Sequence, residues 1–521
     1  MKRRLLLVLL SAILFSVGWY PLSGLPMLVG FIPLLIISRD YDASARSFWK
    51  MVGWVCLWMA LWYAMTVWWV WNATPAGPPA ALLFGLIYTA PPLLLYHYVS
   101  KRAPRSLAYT IFTAAWLVGE FIYNTSQASF PWLNIGNGFA HDIPLVQWYE
   151  YTGIYGGTLW VLVANLVIYD RIVLRRPRRW LLPGVVVLLP IFASLLIWFT
   201  YEEPDKKITV SIVQPNIDPY GEKFTLPQAE QTANLLELAS RAPADAAFVL
   251  MPETAIDESI EEGLWHYSPS LNALQALAAK KYPHTTFVVG ATTYHFYPGS
   301  RKPTHTARYS EGRRWYDVYN SALAVTAGET IDIHHKSKLV IGVEMMPNWR
   351  LARWLSRIVV DLGGTSGQLG TDSVRRVFRN GEFLGGPAIC YESIYGDYFA
   401  DFVRLGANVM FVITNDGWWG NTPGYRQHFS YARLRAIENR RSIARSANTG
   451  ISGFISPRGE VLSSLGWEER GTLTARIAVN DRITFYTRYG DYLCRIAIYV
   501  LGLCILYFIA YRYRRRNHLV E

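Results

Sequence analysis

The sequence predicts a polytopic α-helical membrane domain of eight transmembrane helices joined to a globular domain of α/β class. Three observations carry that prediction. Eight apolar runs approach membrane-crossing length, connections rich in Lys and Arg alternate with connections that have none, and between the seventh and eighth runs the composition becomes that of a folded aqueous domain. The whole chain agrees: of 521 residues, 52% are hydrophobic and 17% charged, against roughly 25% charged in an average soluble domain. Such apolar content excludes a disordered chain, and four cysteines are too few for a disulfide scaffold.

A helix of about 20 apolar residues crosses the roughly 30 Å hydrocarbon layer. The runs are Leu5 to Trp19, Leu22 to Ser38, Phe48 to Trp71, Ala81 to Val99, Leu107 to Tyr123, Gly156 to Val173, Leu181 to Thr200 and Leu493 to Tyr511. Lys2, Arg3 and Arg4 ahead of the first run also fit a secretory signal. No small-residue cleavage site follows, however, and bulky Trp19 and Tyr20 stand where one would be, so the run is expected to remain as a span. The tryptophans of the third run, from Trp49 to Trp71, are expected to mark interfacial belts at its ends.

Cytoplasmic loops keep Lys and Arg, whereas short translocated loops lose them. Basic residues cluster at Lys2 to Arg4, at Arg39, Arg46 and Lys50, at Lys101, Arg102 and Arg105, at Arg171 to Arg179, and at Arg512 to Arg516. The connections Asn72 to Ala80 and Asn124 to Gly153 contain none. The alternation sets both termini in the cytoplasm and the long segment between spans seven and eight outside it. The expected division is a membrane domain over residues 1–203, an extracytoplasmic domain over 204–487, and a final helix with a basic tail over 488–521. An excess of 50 basic over 38 acidic residues, net charge +12, is thereby an orientation signal, and nucleic-acid binding is not expected.

Within the long segment, Ile208 to Val213, Ala247 to Met251, Thr286 to Gly290, Ser321 to Thr326, Pro387 to Ile389 and Asn408 to Ile413 are short apolar runs bounded by Gly, Pro or Asn, as strands are. Helical stretches at Gln228 to Ala242, Ser270 to Lys281 and Gln427 to Asn439 lie between some of them, which points to a layered α/β domain.

Cys56, Cys494 and Cys504 fall in apolar runs and read as small core residues; Cys390 is the one cysteine of the outer segment. It sits where the strand Gly385 to Ile389 ends, a position that exposes a nucleophile on rigid backbone. A second strand end supplies Glu253, able to take and return a thiol proton. A third supplies Lys336, able to stabilise a thiolate or an oxyanion, with Lys338 competing for that role. His334 and His335 suggest metal ligation, but neighbours on a strand point apart, and no metal is expected.

The ordered set Pro252-Glu253, Lys336-x-x-Leu339 and Cys390-Tyr391-Glu392 resembles the Glu-Lys-Cys triad of the nitrilase, or carbon-nitrogen hydrolase, superfamily. With seven spans before it and one after, it is similar in particular to the bacterial apolipoprotein N-acyltransferases. Supporting segments are Val213 to Ile217, Thr414 to Gly420, Gln427-His428 through Glu438, Arg445 to Gly453 and Thr487 to Asp491. The resemblance implies an αββα sandwich for the outer domain, with Cys390 as nucleophile, Glu253 as general base and acid, and Lys336 with the Tyr391 amide as oxyanion donors. Glu344, Tyr391 and Glu392 match supporting residues of that family. Three positions depart from its pattern: Ile341-Gly342-Val343 replaces a Pro-Phe-Gly turn, Lys338 stands where His is common, and Phe224 is the nearest aromatic to an expected Trp.

The implied reaction passes a fatty acyl chain from a phospholipid, through a cysteine thioester, to the α-amino group of a lipoprotein's diacylglyceryl-cysteine, in ping-pong order and without a cofactor. Substrates anchored in a bilayer account for the spans. A membrane-tethered amidohydrolase and an inactive lipoprotein-binding scaffold are the competing readings. The chain is expected to be a monomer in a bacterial inner membrane. Met345 to Val360, with Trp349 and Trp354, reads as an amphipathic lid on the membrane, and Trp418 and Trp419 as candidate acyl-channel residues.

Overall fold

The computed structural model describes residues 1–172, 181–310, 312, 314–345 and 368–517. The chain divides into two compact units, one of Met1–Trp71, Pro75–Tyr201 and Tyr489–Glu521, the other of Asn72–Thr74 and Glu202–Arg488.

Among the described residues, the regular elements of the first unit are helices, and each of the eight apolar runs contains helix. Among the described residues, four helices are long and apolar enough to cross a membrane by length and composition: Gly77–Ser100, Arg105–Thr125, Leu181–Thr200 and Tyr492–Arg516. The second run is interrupted, since Gly24, Pro26 and Pro33 break it into a 3-10 stretch, Leu25–Val29, and a short helix, Ile32–Arg39. An aromatic cluster forms this unit's core. Phe31 packs 4.6 Å from Phe15 and 4.8 Å from Trp116 between ring centroids, and Trp58 stacks on Trp62 at 5.2 Å. The third run's tryptophans therefore divide: Trp58 and Trp62 are core, while Trp49, Trp68 and Trp71 are exposed near its ends.

The second unit is built on two sheets. The first contains β1 (Lys207–Gln214), β2 (Phe248–Leu250), β3 (Ile256–Glu261), β4 (Thr286–Tyr297), β5 (Arg308–Tyr309), β6 (Trp315–Val325) and β7 (Ile331–His335). The second contains β8 (Phe378–Asn380), β9 (Phe383–Ile389), β10 (Val409–Thr414), β11 (Ile443–Ala447), β12 (Ser452–Ile455) and β13 (Val461–Leu465), after which β14 (Gly471–Ala478) returns to pair with β1. The orders are β14-β1-β2-β4-β6-β5, with β3 on β4 and β7 on β6, and β13-β12-β11-β10-β9-β8. Helices Gln228–Ala239 and Pro269–Lys281 bury Leu235, Leu238, Leu271 and Leu274 against Val249, Phe287 and Val289 of the first sheet. The sheets meet at Phe248 and Phe411, 4.9 Å between centroids, and at Ser446, whose hydroxyl donates to the Val213 carbonyl at 2.7 Å. Helices Gly396–Arg404 and Pro423–Asn439 accompany the second sheet. Each predicted strand is found, and the predicted helix over 427–439 begins earlier, at Pro423, where the Thr422 hydroxyl caps the Gly424 amide.

Three strand ends carry the residues with chemical potential. β2 runs out into Met251, Pro252 and Glu253; β7 delivers Lys336, whose amide donates to the Asn320 carbonyl of β6 at 2.8 Å; β9, parallel to β10 with Ile389 opposite Ile413, delivers Cys390. The approach of β4 to the first of these ends requires glycine. A Cβ on Gly290 would stand 2.5 Å from the Glu253 Cα and 2.6 Å from the Pro252 oxygen. Those neighbours are backbone and cannot swing aside. Gly290→Ala is thus expected to cost about 1–3 kcal/mol, as overpacking does, read as a lower apparent Tm of the purified protein; an unchanged Tm would refute the close approach.

Candidate active site

Lys336 is fully buried, and a buried ammonium needs charged partners. It has two. Its Nζ donates to Glu253 Oε1 and to Glu344 Oε1, each at 2.8 Å. Asn320 Nδ2 donates to the same two oxygens at 2.7 and 3.0 Å, and the Asn415 amide donates to Glu253 Oε2 at 3.1 Å. Burial opposes charge on Lys336, but the carboxylates of Glu253 and Glu344 outweigh it and hold its pKa well above the ordinary lysine value. Lys338 does not compete for this place: it lies over the Tyr395 ring, 4.8 Å from the centroid. Glu344 is brought in by the departing turn Ile341-Gly342-Val343, where Gly342 adopts φ +84°. The Glu344 amide donates to the Val340 carbonyl at 2.9 Å, and its Oε2 accepts from the Val340 amide at 2.8 Å.

Cys390 opens onto the same cleft as Glu253, Lys336 and Glu344. The cleft has about 940 Å³ of empty volume, a figure that takes in the solvent at its open mouth. Cys390 has φ +49°, a left-handed conformation that a β-carbon disfavours, so the sharp turn holding the sulfur is strained backbone sustained by its surroundings. Burial, and then the charge of Glu253, push the thiol well above the ordinary cysteine value, with Lys336 pulling the other way. The resting sulfur is protonated.

Glu392 fastens this turn to the lysine. Its Oε2 accepts from the Ile389 amide at 2.8 Å and lies 3.3 Å from His334 Nε2; its Oε1 accepts from the Ser337 amide at 2.7 Å and from the Tyr398 hydroxyl. The residues preceding Cys390 and following Lys336 thereby share one carboxylate. Burial disfavours its charge, yet His334 and these donors keep its pKa below the usual glutamate value. His334 and His335 point apart: His335 Nε2 meets Glu262 Oε1 at 2.8 Å instead. Cys390, Asp416 and His428 offer donor atoms within 4.8 Å of one another. Both Asp416 oxygens and both His428 nitrogens are turned to protein groups, and His428 meets the backbone oxygen of Cys390, so Asp416 and His428 are engaged in a hydrogen-bond chain.

The structure thus gathers Glu253, Lys336, Glu344 and Cys390 at one cleft, with Tyr391 buried beside the turn, and adds Asn320, which sequence reasoning misses. Phe224, Trp418 and Trp419 line the same cleft, Phe224 6.5 Å from Trp418 between centroids. Trp349 and Trp354, and with them the lid expected over Met345 to Val360 apart from Met345 itself, lie outside the described residues.

Residues 209–485 match the carbon-nitrogen hydrolase family. The chain belongs to that family. Residues 11–167 match the apolipoprotein N-acyltransferase N-terminal domain. The apolipoprotein N-acyltransferase of Chlorobaculum tepidum is 28% identical, covering 96% of this chain and 95% of its own; that of Geobacter metallireducens is 25% identical, covering 99% and 97%. Among solved structures, the nitrilase-superfamily protein Nit3 of Saccharomyces cerevisiae is 17% identical, covers 53% of this chain and 92% of its own, and has a TM-score of 0.38. Within the carbon-nitrogen hydrolase family, the amino-terminal match and the full-length relatives single out the apolipoprotein N-acyltransferases.

Two measurements test the electrostatics. Lys336→Met leaves Glu253 and Glu344 without their shared cation, and breaking such a buried pair costs about 3–5 kcal/mol; apparent Tm should fall, and adding Glu344→Gln should recover part of the loss. No recovery would mean that the two carboxylates do not compete for one charge. Because the thiol is raised, the iodoacetamide alkylation rate of Cys390, followed by peptide mass spectrometry, should climb about tenfold per pH unit from pH 6 to 9. A plateau below pH 8 would contradict the protonated resting state.

Proposed function

We infer that this chain transfers a fatty acyl group from a phospholipid, through a thioester on Cys390, to the α-amino group of the diacylglyceryl-cysteine that begins a lipoprotein. The observation that carries this reading is the sharing of one cleft by Cys390 and the Glu253–Lys336–Glu344 cluster, in a chain whose full-length relatives are apolipoprotein N-acyltransferases.

In the first half-reaction Glu253 takes the Sγ proton as the sulfur attacks the ester carbonyl. The carbonyl oxygen becomes an oxyanion, stabilised by the Lys336 ammonium and the Tyr391 amide. Collapse breaks the ester C–O bond, Glu253 returns the proton to the departing alkoxide, and a lysophospholipid leaves. In the second half-reaction the lipoprotein amine attacks the thioester carbonyl. The same donors hold the new oxyanion, Glu253 takes the amine proton, the C–S bond breaks, and the proton returns to sulfur. Glu344 and Asn320 hold Lys336 and Glu253 at fixed separation, Glu392 keeps the cysteine turn against the lysine segment, and no step calls for a metal or organic cofactor. Phe224, Trp418 and Trp419 form the apolar wall along which the acyl chain lies. A thioester also reacts with water, so that wall favours transfer by limiting water near the carbonyl.

The division into residues 1–203, 204–487 and 488–521 goes with this reading, as does a topology of eight spans in a bacterial inner membrane with both termini cytoplasmic. The support for the topology is the alternation of basic and uncharged connections, and the chain is read as acting as a monomer.

Incubating the purified protein with phosphatidylethanolamine labelled in an acyl chain should place label on Cys390. Adding a diacylglyceryl-cysteine peptide should then move that label into an amide at a rate independent of remaining donor. Label appearing only as free fatty acid, whether or not the peptide is present, would favour a hydrolase and overturn the reading. Cys390→Ser should lose thioester formation by at least about 10³-fold, as loss of an activated nucleophile does.

A further inference from the structure

Three side chains from motif segments of the sequence are given no role in the acyl-transfer chemistry above: Asp416 of Asn415-Asp416, His428 of Gln427-His428 and Arg445 of Arg445-Ser446. The fold brings the three together directly behind the cysteine turn. His428, from helix Pro423–Asn439, has its Nε2 3.2 Å from the Cys390 carbonyl oxygen and 3.0 Å from the Ser393 hydroxyl, which itself donates to that carbonyl at 2.7 Å. The other ring nitrogen, Nδ1, lies 2.9 Å from Asp416 Oδ1 and 3.0 Å from Arg445 Nη2. Arg445 closes the chain with a 2.5 Å contact to Asp416 Oδ2, and the Thr414 hydroxyl donates to Asp416 Oδ1 at 2.8 Å. Asp416, His428, Arg445 and Ser393 are all fully buried.

A carbonyl oxygen can only accept, so the His428 contact to Cys390 is favourable when Nε2 carries a proton. The Arg445 guanidinium at Nδ1 provides for this. A neutral ring that accepts there from the Arg445 guanidinium carries its proton on Nε2, and a charged ring, which donates there to the Asp416 carboxylate, carries one on Nε2 as well. Burial, followed by Arg445, pulls the His428 pKa below the ordinary histidine value, which is the direction of the neutral ring.

In a trans peptide the C=O of one residue and the N–H of the next point in opposite directions across one rigid plane. The Cys390–Tyr391 bond is trans. Whatever grips the Cys390 oxygen therefore aims the Tyr391 N–H to the other side. We propose that His428, backed by Asp416 and Arg445 and joined by Ser393, is a positioning residue: it locks the Cys390–Tyr391 peptide plane so that the Tyr391 amide meets the oxyanion. The left-handed φ of Cys390 gives this grip a purpose, because a strained turn relaxes by rotating its peptide unless something holds it. The inference rests on the reading of Cys390 as nucleophile and the Tyr391 amide as oxyanion donor.

The test separates two reactions of one sulfur. Acylation by a phospholipid forms an oxyanion at a carbonyl; alkylation by iodoacetamide displaces iodide from a methylene and forms none. Single-turnover acylation of the full-length purified protein by labelled phosphatidylethanolamine is measured beside Cys390 alkylation. Losing one oxyanion donor outright costs roughly 10²–10³-fold, so misaiming it through His428→Ala should slow acylation by about 10- to 100-fold. Alkylation should stay within about threefold of the unsubstituted protein, since the sulfur itself is untouched. His428→Gln, whose side-chain amide can donate to the same oxygen, should recover most of the acylation rate. Should His428→Ala fail to accumulate, Ser393→Ala removes the other grip on that oxygen, and the ratio of acylation to alkylation should fall again. Acylation and alkylation falling in parallel, or acylation unchanged, would overturn the proposal. If the unsubstituted protein forms no thioester on Cys390, the functional reading itself fails, an outcome distinct from either.

Discussion

A single ammonium held between two carboxylates sets the constraint around which the catalytic unit is organised. Lys336 cannot be buried alone, and Glu253 and Glu344 cannot be buried side by side without it. Meeting that mutual need fixes the end of β2, the end of β7 and the turn after Leu339 relative to one another. Asn320 completes the arrangement from the neighbouring strand, because the ladder that pairs β6 with β7 places it opposite Lys336. The apolar core of the first sheet supplies stability, but the placement of chemistry comes from this charged cluster.

The cysteine arrives from the other sheet, on a turn that its own backbone conformation disfavours. Two buried hydrogen-bonded groups restrain it from different directions. Glu392 holds the residue before the cysteine and links it to the lysine segment. The His428 chain holds the oxygen after it. The second belongs to a polar interior unusual for an α/β domain, in which Arg435, Arg440, Arg441 and Arg445 are fully buried. Arg435, for example, pairs with Glu438 at 2.6 Å and donates to the Ile394 carbonyl at 2.7 Å, just beyond the turn.

The legibility of the sequence has the same physical basis. Glu253, Lys336 and Cys390 stand at the ends of apolar strands, where a change from β-branched to polar residues is visible in the chain itself. Asn320 lies within a strand, with nothing local to set it apart from a surface position, and its partners come from distant segments. β11 is hidden in the sequence because Arg445 and Ser446 break the apolar pattern; their burial is possible only because Asp416 and the Val213 carbonyl receive them. Lys336 and Lys338 can be ranked by spacing, but what separates them is that one faces two carboxylates and the other an aromatic ring. The eight apolar runs are readable as helix, although glycine and proline make the second discontinuous.

A sulfur kept protonated at rest is also a sulfur slow to oxidise. Peroxides and disulfides react with the thiolate, and a thiol raised by burial offers little of it. On the proposed reading, Cys390 combines two properties that seldom go together in an unpaired cysteine, readiness to form a thioester and reluctance to become a sulfenic acid or a mixed disulfide. For an enzyme whose nucleophile has no disulfide partner, that inertness guards the active site against oxidative loss.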